Sequence, residues 1–164
     1  FGSNVGELWG NAVLTNFVAR SENHRFNNHT SVPRGVLETL ILFEGSGLRL
    51  MVTHLDHEDN AAQGRFNQID ELLDIWGGDP LTLVLGDINT EPDSAEYSQL
   101  TGAGLRDLLR ESGSPAATSP ADKPVARIDY AFASAGLELI KADTPKSPSP
   151  ASDHLPIFVE LRIP

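Results

Sequence analysis

The chain has 164 residues, 40% of them hydrophobic, which suits one domain whose core takes about 70% of the unfolded surface out of water. Lys and Arg number 12 and Asp and Glu 23, so the net charge is 12 − 23 = −11; that sign opposes a phosphate backbone, and no basic stripe with interleaved aromatics offsets it, so a long duplex is disfavoured as substrate. Zero cysteines exclude disulfides, thiolate zinc sites and cysteine nucleophiles, and without an apolar run of about 18 residues or a basic leader the chain as given reads as soluble, cytoplasmic or secreted being left open.

Taken in order, residues 21 to 33 form a polar stretch holding His24 and His29 beside Arg20, Arg25 and Arg34, and read as a solvated loop at the border of a cleft. Residues 35 to 44 and 48 to 55 read as two strands turned at Gly45-Ser46-Gly47, a hairpin that delivers His54 at its far end. From Asp59 to Trp76 the apolar positions Ala62, Phe66, Ile69, Leu73 and Trp76 step by four and three, the period of an amphipathic helix that Gly77-Gly78 stops. Residues 81 to 86 are an apolar strand ending at Asp87. Asp93 and Glu96 have capping-box spacing for a short helix over residues 94 to 100, and Leu105, Leu108 and Leu109 add a small buried cluster. Residues 111 to 125 read as an irregular loop rich in Ser, Ala and Pro. Ile128, Tyr130 and Phe132 alternate with Asp129, Ala131 and Ala133 in a further strand, with which residues 137 to 142 can pair across Ser134-Ala135-Gly136. A Pro- and Ser-rich stretch from Thr144 to Ser152 precedes a last strand over residues 155 to 163. Strands outnumber helices and mostly adjoin, which favours a layered α/β (α+β) sandwich with antiparallel pairs over a doubly wound parallel sheet.

The chemistry-bearing residues collect at strand ends. In an extended backbone residues i and i+2 share a face, so Asp87 and Asn89 can point into one site, and oxygen donors there suit a hard cation such as Mg2+. Singly, His54 can be a surface residue, Asp87 a turn residue, and Ser152-Asp153-His154 a turn at a strand start. Asp129 is harder to assign to structure alone, because Asp is depleted in strands and here interrupts Ile, Tyr and Phe. Together they match what phosphoester hydrolysis needs: a cation on the phosphoryl oxygens, a base for water, and stabilisation of the leaving oxygen. Asp87, Asn89 and Asp153 offer oxygens to metal and phosphate, His154 beside Asp129 offers an oriented base, and His54 a hydrogen bond to phosphate.

Four motifs resemble, in order, those of the endonuclease/exonuclease/phosphatase superfamily: Thr53-His54-Leu55 its histidine motif, Gly86-Asp87-Ile88-Asn89 its GDxN motif, Arg127-Ile128-Asp129-Tyr130 its RIDY strand, and Ser152-Asp153-His154-Leu155-Pro156 its terminal SDHxP motif. Residues 10 to 14 are similar to a strand preceding the family's Ser-Arg segment. The resemblance implies a four-layered sandwich of two packed, mixed and largely antiparallel sheets flanked by helices, with Mg2+ or Mn2+ as cofactor. It implies His154 as general base oriented by Asp129, Asp87 and Asn89 on the attacking water and phosphate, Asp153 helping to hold the metal with Asp87 and Asn89, and His54 at the phosphate. Residues 1 to 164 then form the C-terminal, larger part of one such domain, since the family's Asn-bearing and Glu-bearing strands would lie upstream of Phe1, and Glu7 follows Gly6 in a polar context that makes it a poor replacement. A domain incomplete at that end exposes sheet edges that invite association. The expected activity is Mg2+-dependent hydrolysis of a small or lipid-linked phosphodiester or phosphomonoester; a metal-dependent nuclease, or a catalytically inactive binding module with weak Mg2+ affinity, are the alternatives.

Overall fold

The computed structural model describes residues 10–28, 32–58, 62–113, 116–145 and 151–164. Strands β1 (Val18–Arg25), β2 (Gly35–Phe43) and β3 (Ser46–His54) form an antiparallel meander. Helix α1 (Ala62–Trp76) crosses over to β4 (Thr82–Asp87), which runs parallel to β3. After α2 (Ala95–Gly102), the two-residue β5 (Arg106–Asp107) and the short α3 (Leu108–Glu111), β6 (Asp129–Ala133) enters antiparallel between β4 and β5. The six strands lie in the order β1-β2-β3-β4-β6-β5, and β7 (Glu138–Asp143) with β8 (Phe158–Arg162) forms a separate antiparallel pair.

Alternation along the central strands feeds two cores. On one face Val36, Met51, Val84, Tyr130 and Phe132 pack with Ile69, Leu72 and Trp76 of α1 and Tyr97 and Leu100 of α2. Ile69 and Leu72 are fully buried, and truncating either to Ala removes about 2–5 kcal/mol. Arg49 of β3 secures the end of α1 by donating to the carbonyls of Ile75 and Trp76 at 2.6 and 2.8 Å, oxygens that have no partner inside the helix. On the opposite face Leu83, Ala131 and Ala133 pack with Leu108 and Leu109, Leu137, Ala142 and the inner side chains of β7 and β8. Helices, the six-stranded sheet and the two-stranded sheet are thus stacked as an α+β sandwich.

Several local expectations are corrected. Residues 10 to 14 are not a strand, whereas residues 18 to 25 are one; β1 carries no hydrophobic alternation because it is an edge strand, exposed nearly throughout and polar on both faces. His24 therefore lies in a strand, 2.7 Å from Glu38 of β2, and His29 falls outside the described residues, as do Glu7 and residues 59 to 61 at the expected start of α1. The cap of α2 is Ser94, whose hydroxyl accepts from Tyr97 N, rather than Asp93. Residues 137 to 142 do not pair with β6, because both sides of β6 are occupied by β4 and β5. Instead Gly136 donates to Pro80 O at 2.9 Å, and the chain leaves for the second sheet, where β7 meets β8.

Candidate active site

Three neighbouring strands bring their ends to one level. His54 closes β3 and lies opposite Asp87, which closes β4 and lies opposite Asp129, the first residue of β6. Strands are about 4.8 Å apart, so adjacent side chains on one face are within reach of each other. That face is set by the pleat: His54 follows the phase of Leu48 and Leu50, Asp87 that of Leu83 and Leu85, and Asp129 that of Ala131 and Ala133, all on the side facing the second sheet. His154 comes from the segment entering β8, so the site forms where the two sheets meet.

Close approach of β3 and β4 depends on Gly86. Its φ is 149°, and a Cβ there would lie 1.9 Å from Thr53 O, so only glycine allows the strands to converge under Asp87. Beyond Asp87 the backbone turns. Asn89 has a φ of 53° and its amide donates to Asp87 Oδ1 at 2.9 Å; the pair is therefore brought together by an Asx-type turn, not by the extended i, i+2 geometry expected from the sequence. Asn89 Nδ2 donates to Leu55 O at 3.0 Å, which leaves its side-chain oxygen as the atom it has to offer a cation.

His154 Nδ1 lies 2.9 and 3.1 Å from the two oxygens of Asp129. Burial by itself would lower the His154 pKa, but the hydrogen bond and charge of Asp129, followed by the charges of Asp87 and Asp153, outweigh it and raise the ring above its ordinary value. His54 behaves oppositely: burial first, then the charges of Arg34 and His57, depress it to about 4. Near pH 7 it is neutral, so the 3.4 Å approach of its Nε2 to Asp87 Oδ2 is a contact of an uncharged imidazole and not an ion pair. Asp87 is raised to about 6, by burial first and then by the Asp129 carboxylate, against the Asn89 amide, which lowers it.

Arg34, expected only to flank a polar loop, is buried beside this cluster. Its Nε donates to the fully buried Asp56 at 3.2 Å and its Nη2 to His57 Nδ1 at 3.1 Å, while Gln68 of α1 donates to Asp56 at 2.8 Å. Its charge is felt by both His54 and Asp87. Nothing in composition or period marks Arg34; the Leu55-Asp56-His57 segment after β3 was the available hint. Asp153 is exposed and stands outside the close group, next to His154 in the chain.

The model of the endonuclease/exonuclease/phosphatase family matches residues 4–154. The chain belongs to that family. Enzymes of the endonuclease/exonuclease/phosphatase family hydrolyse phosphoester bonds and generally use divalent metals. Solved structures of similar fold include a mannosyl-6-phosphatase from Bacteroides thetaiotaomicron, with 18% identity and a TM-score of 0.73 over 90% of this chain and 67% of that one. The endonuclease/exonuclease/phosphatase from Beutenbergia cavernae has 23% identity and a TM-score of 0.72 over 90% and 45%. TDP2 from D. rerio, complexed with a single-strand DNA product, has 22% identity and a TM-score of 0.68 over 89% and 68%. No curated protein matches the chain. A further similar structure, from Enterococcus faecalis, is covered over 66% of its length, so the chain spans between 45% and 68% of these four structures.

The family's divalent metal fits the side chains at this end of the sheet. One ligand atom each from Asp87, Asp129 and His154 lies within 4.8 Å of the others, and the carboxylates are hard donors with the Asn89 oxygen nearby. Burial first, and then the Asp129 carboxylate, hold Asp87 toward its neutral form, and a bound cation would offset both effects.

Proposed function

We propose that this chain hydrolyses a small or lipid-linked phosphodiester or phosphomonoester, using water activated by His154. The observation that carries this reading is the 2.9 Å contact between His154 Nδ1 and Asp129 Oδ2. A carboxylate on Nδ1 keeps the proton of the neutral ring there, so the Nε2 lone pair is the one that takes a proton from water. Asp129 also stabilises the imidazolium that results. Neutral His54 donates a hydrogen bond to a phosphoryl oxygen, and Arg34 adds positive potential behind it.

Asp87 and Asn89 would hold Mg2+ or Mn2+, with Asp129 at the margin of that group, and the bound cation would supply neutralisation of charge on the phosphoryl and leaving oxygens. Asp153 acts in this reading through its charge on His154. The net charge of −11 supports a compact substrate over a polyanion. Hydrolysis of nucleic acid is the second reading, favoured by the likeness to a fold that holds a single-strand DNA product.

A substrate panel tests the choice: p-nitrophenyl phosphate, bis-p-nitrophenyl phosphate and a single-stranded oligonucleotide, each with Mg2+ or with EDTA. Turnover of a small ester that EDTA abolishes and that exceeds turnover of the oligonucleotide is expected. Preference for the oligonucleotide would replace the small-ester reading by the nuclease. Millimolar Mg2+ binding without turnover of any substrate would contradict an enzyme and match a binding module.

A further inference from the structure

Thr118 lies in the stretch expected to be an irregular surface loop, yet it is completely buried. Its hydroxyl oxygen accepts from the amides of Ile128 and Asp129, each at 3.3 Å. Its carbonyl accepts from Leu155 N at 2.7 Å. One residue thus anchors the backbone that carries Asp129 and the backbone that follows His154, two segments joined otherwise at this point by the His154–Asp129 side-chain contact.

The loop around Thr118 is itself fixed. Thr118 N and Ser119 N both donate to Ala126 O, at 2.8 and 3.0 Å, and Val125 N and Ala126 N return to Ser119 O at 2.9 Å. From this small hairpin Ala121 N donates to Asp153 O at 2.7 Å, a second tie to the same segment. A solvated connection needs neither a buried hydroxyl nor two anchors on one distant segment.

We propose that Thr118 is a positioning residue for the hydrolytic pair, setting the distance and aim of the His154 ring against the Asp129 carboxylate. The inference rests on the reading of His154 as the base. A hydroxyl oxygen has two lone pairs and can accept both amides at once; removing it strands two amides and frees the Asp129 backbone to shift. A displacement of about 1 Å in a reacting group can cost on the order of 100-fold in rate.

Two variants test it. Thr118→Val keeps the shape and loses the acceptor; Thr118→Ser keeps the acceptor and loses a methyl group. Expected is a fall in kcat of about 10- to 100-fold for T118V with KM within about 2-fold, and recovery to within about 3-fold in T118S. In parallel, the downfield proton resonance of His154 Nδ1–H should be present in wild type and T118S and lost or broadened in T118V. If T118V does not fold, Thr118→Ala, which brings no bulk into the pocket, is measured in its place. A folded T118V or T118A with wild-type kcat and an unchanged Nδ1 proton overturns the proposal, as does a change confined to KM. If wild type lacks turnover altogether, the hydrolase reading has failed, and the resonance alone then decides the positioning role.

Discussion

At the residue scale the candidate site holds two histidines in opposite states. Asp129 raises the His154 pKa while burial and Arg34 lower that of His54, so one ring is suited to take a proton and the other to donate a hydrogen bond uncharged. His154 must be unprotonated to act as base, so activity rises with pH through its raised pKa. In Asp129→Asn the partner charge is gone while burial stays, the pKa falls, and the acid limb of kcat/KM moves to lower pH, together with a loss in kcat of about 100-fold or more. A limb that stays in place or moves to higher pH contradicts the pairing. Gly86→Ala probes the backbone beneath the site. With Thr53 O 1.9 Å from the new Cβ and a φ of 149°, β3 and β4 must separate, and a stability loss of about 3 kcal/mol or more is expected in denaturant melts.

The chemical residues at this scale were legible as types at strand ends, since a carboxylate or imidazole where an apolar run stops is rare enough to notice. Asn89 was expected beside Asp87 and lies there, but a turn and not a strand brings it. Arg34 and Thr118 were not legible. Arg34 is buried against Asp56 and His57 across the β2–β3 ladder, and Thr118 against β6 and the segment entering β8; no local pattern encodes either contact.

At the element scale the sequence spoke clearly where period and burial coincide, as in α1, the β2–β3 hairpin and β4. It was silent on β1, whose residues meet solvent on both sides, and misleading on β7, where proximity in sequence suggested β6 although both its edges are filled. The segment after β1 is held to α1 by Glu71, which accepts from the amide and side chain of both Asn27 and Asn28 at 2.8 to 3.3 Å. Burial alone would raise the Glu71 pKa, but these four donors lower it. A depressed carboxylate adds stability above its unfolded pKa and loses it as pH falls through the folded value. Glu71→Gln should therefore cost no more than about 1 kcal/mol near neutral pH, and the gap from wild type should shrink on acidification. A gap that widens with acid contradicts the sign.

A second element-scale test concerns Arg127, which enters β6. Its guanidinium is buried, donates to both Asp107 oxygens at 3.1 and 2.5 Å and lies 4.6 Å from the Tyr130 ring centroid. Asp107 also caps α3. Asp107→Ala leaves that cation buried without its counter-charge, and a loss of about 3–5 kcal/mol in thermal or chemical melts is expected. A loss under about 1 kcal/mol would show that the pair is solvated and that β6 is held otherwise.

At the scale of the whole molecule the fold is a sandwich whose candidate site sits where the two sheets meet, in a chain of net charge −11. In the proposed reading a charge of that sign repels a polyanionic substrate and acts much less on a small ester. Raising ionic strength from low to physiological values screens that repulsion, so kcat/KM should increase on an oligonucleotide and change little on bis-p-nitrophenyl phosphate. A fall on the oligonucleotide would reveal a local basic path that the global charge conceals. In the proposed function His154, aimed by Asp129, is the base of a metal-dependent phosphoesterase. Its most direct test is steady-state hydrolysis of bis-p-nitrophenyl phosphate by wild type and His154→Ala, each with Mg2+ and with EDTA. Turnover in wild type only when Mg2+ is present, and a loss of about 100-fold or more in H154A, are expected. Equal rates in the two proteins, or turnover in wild type that survives EDTA, would contradict it.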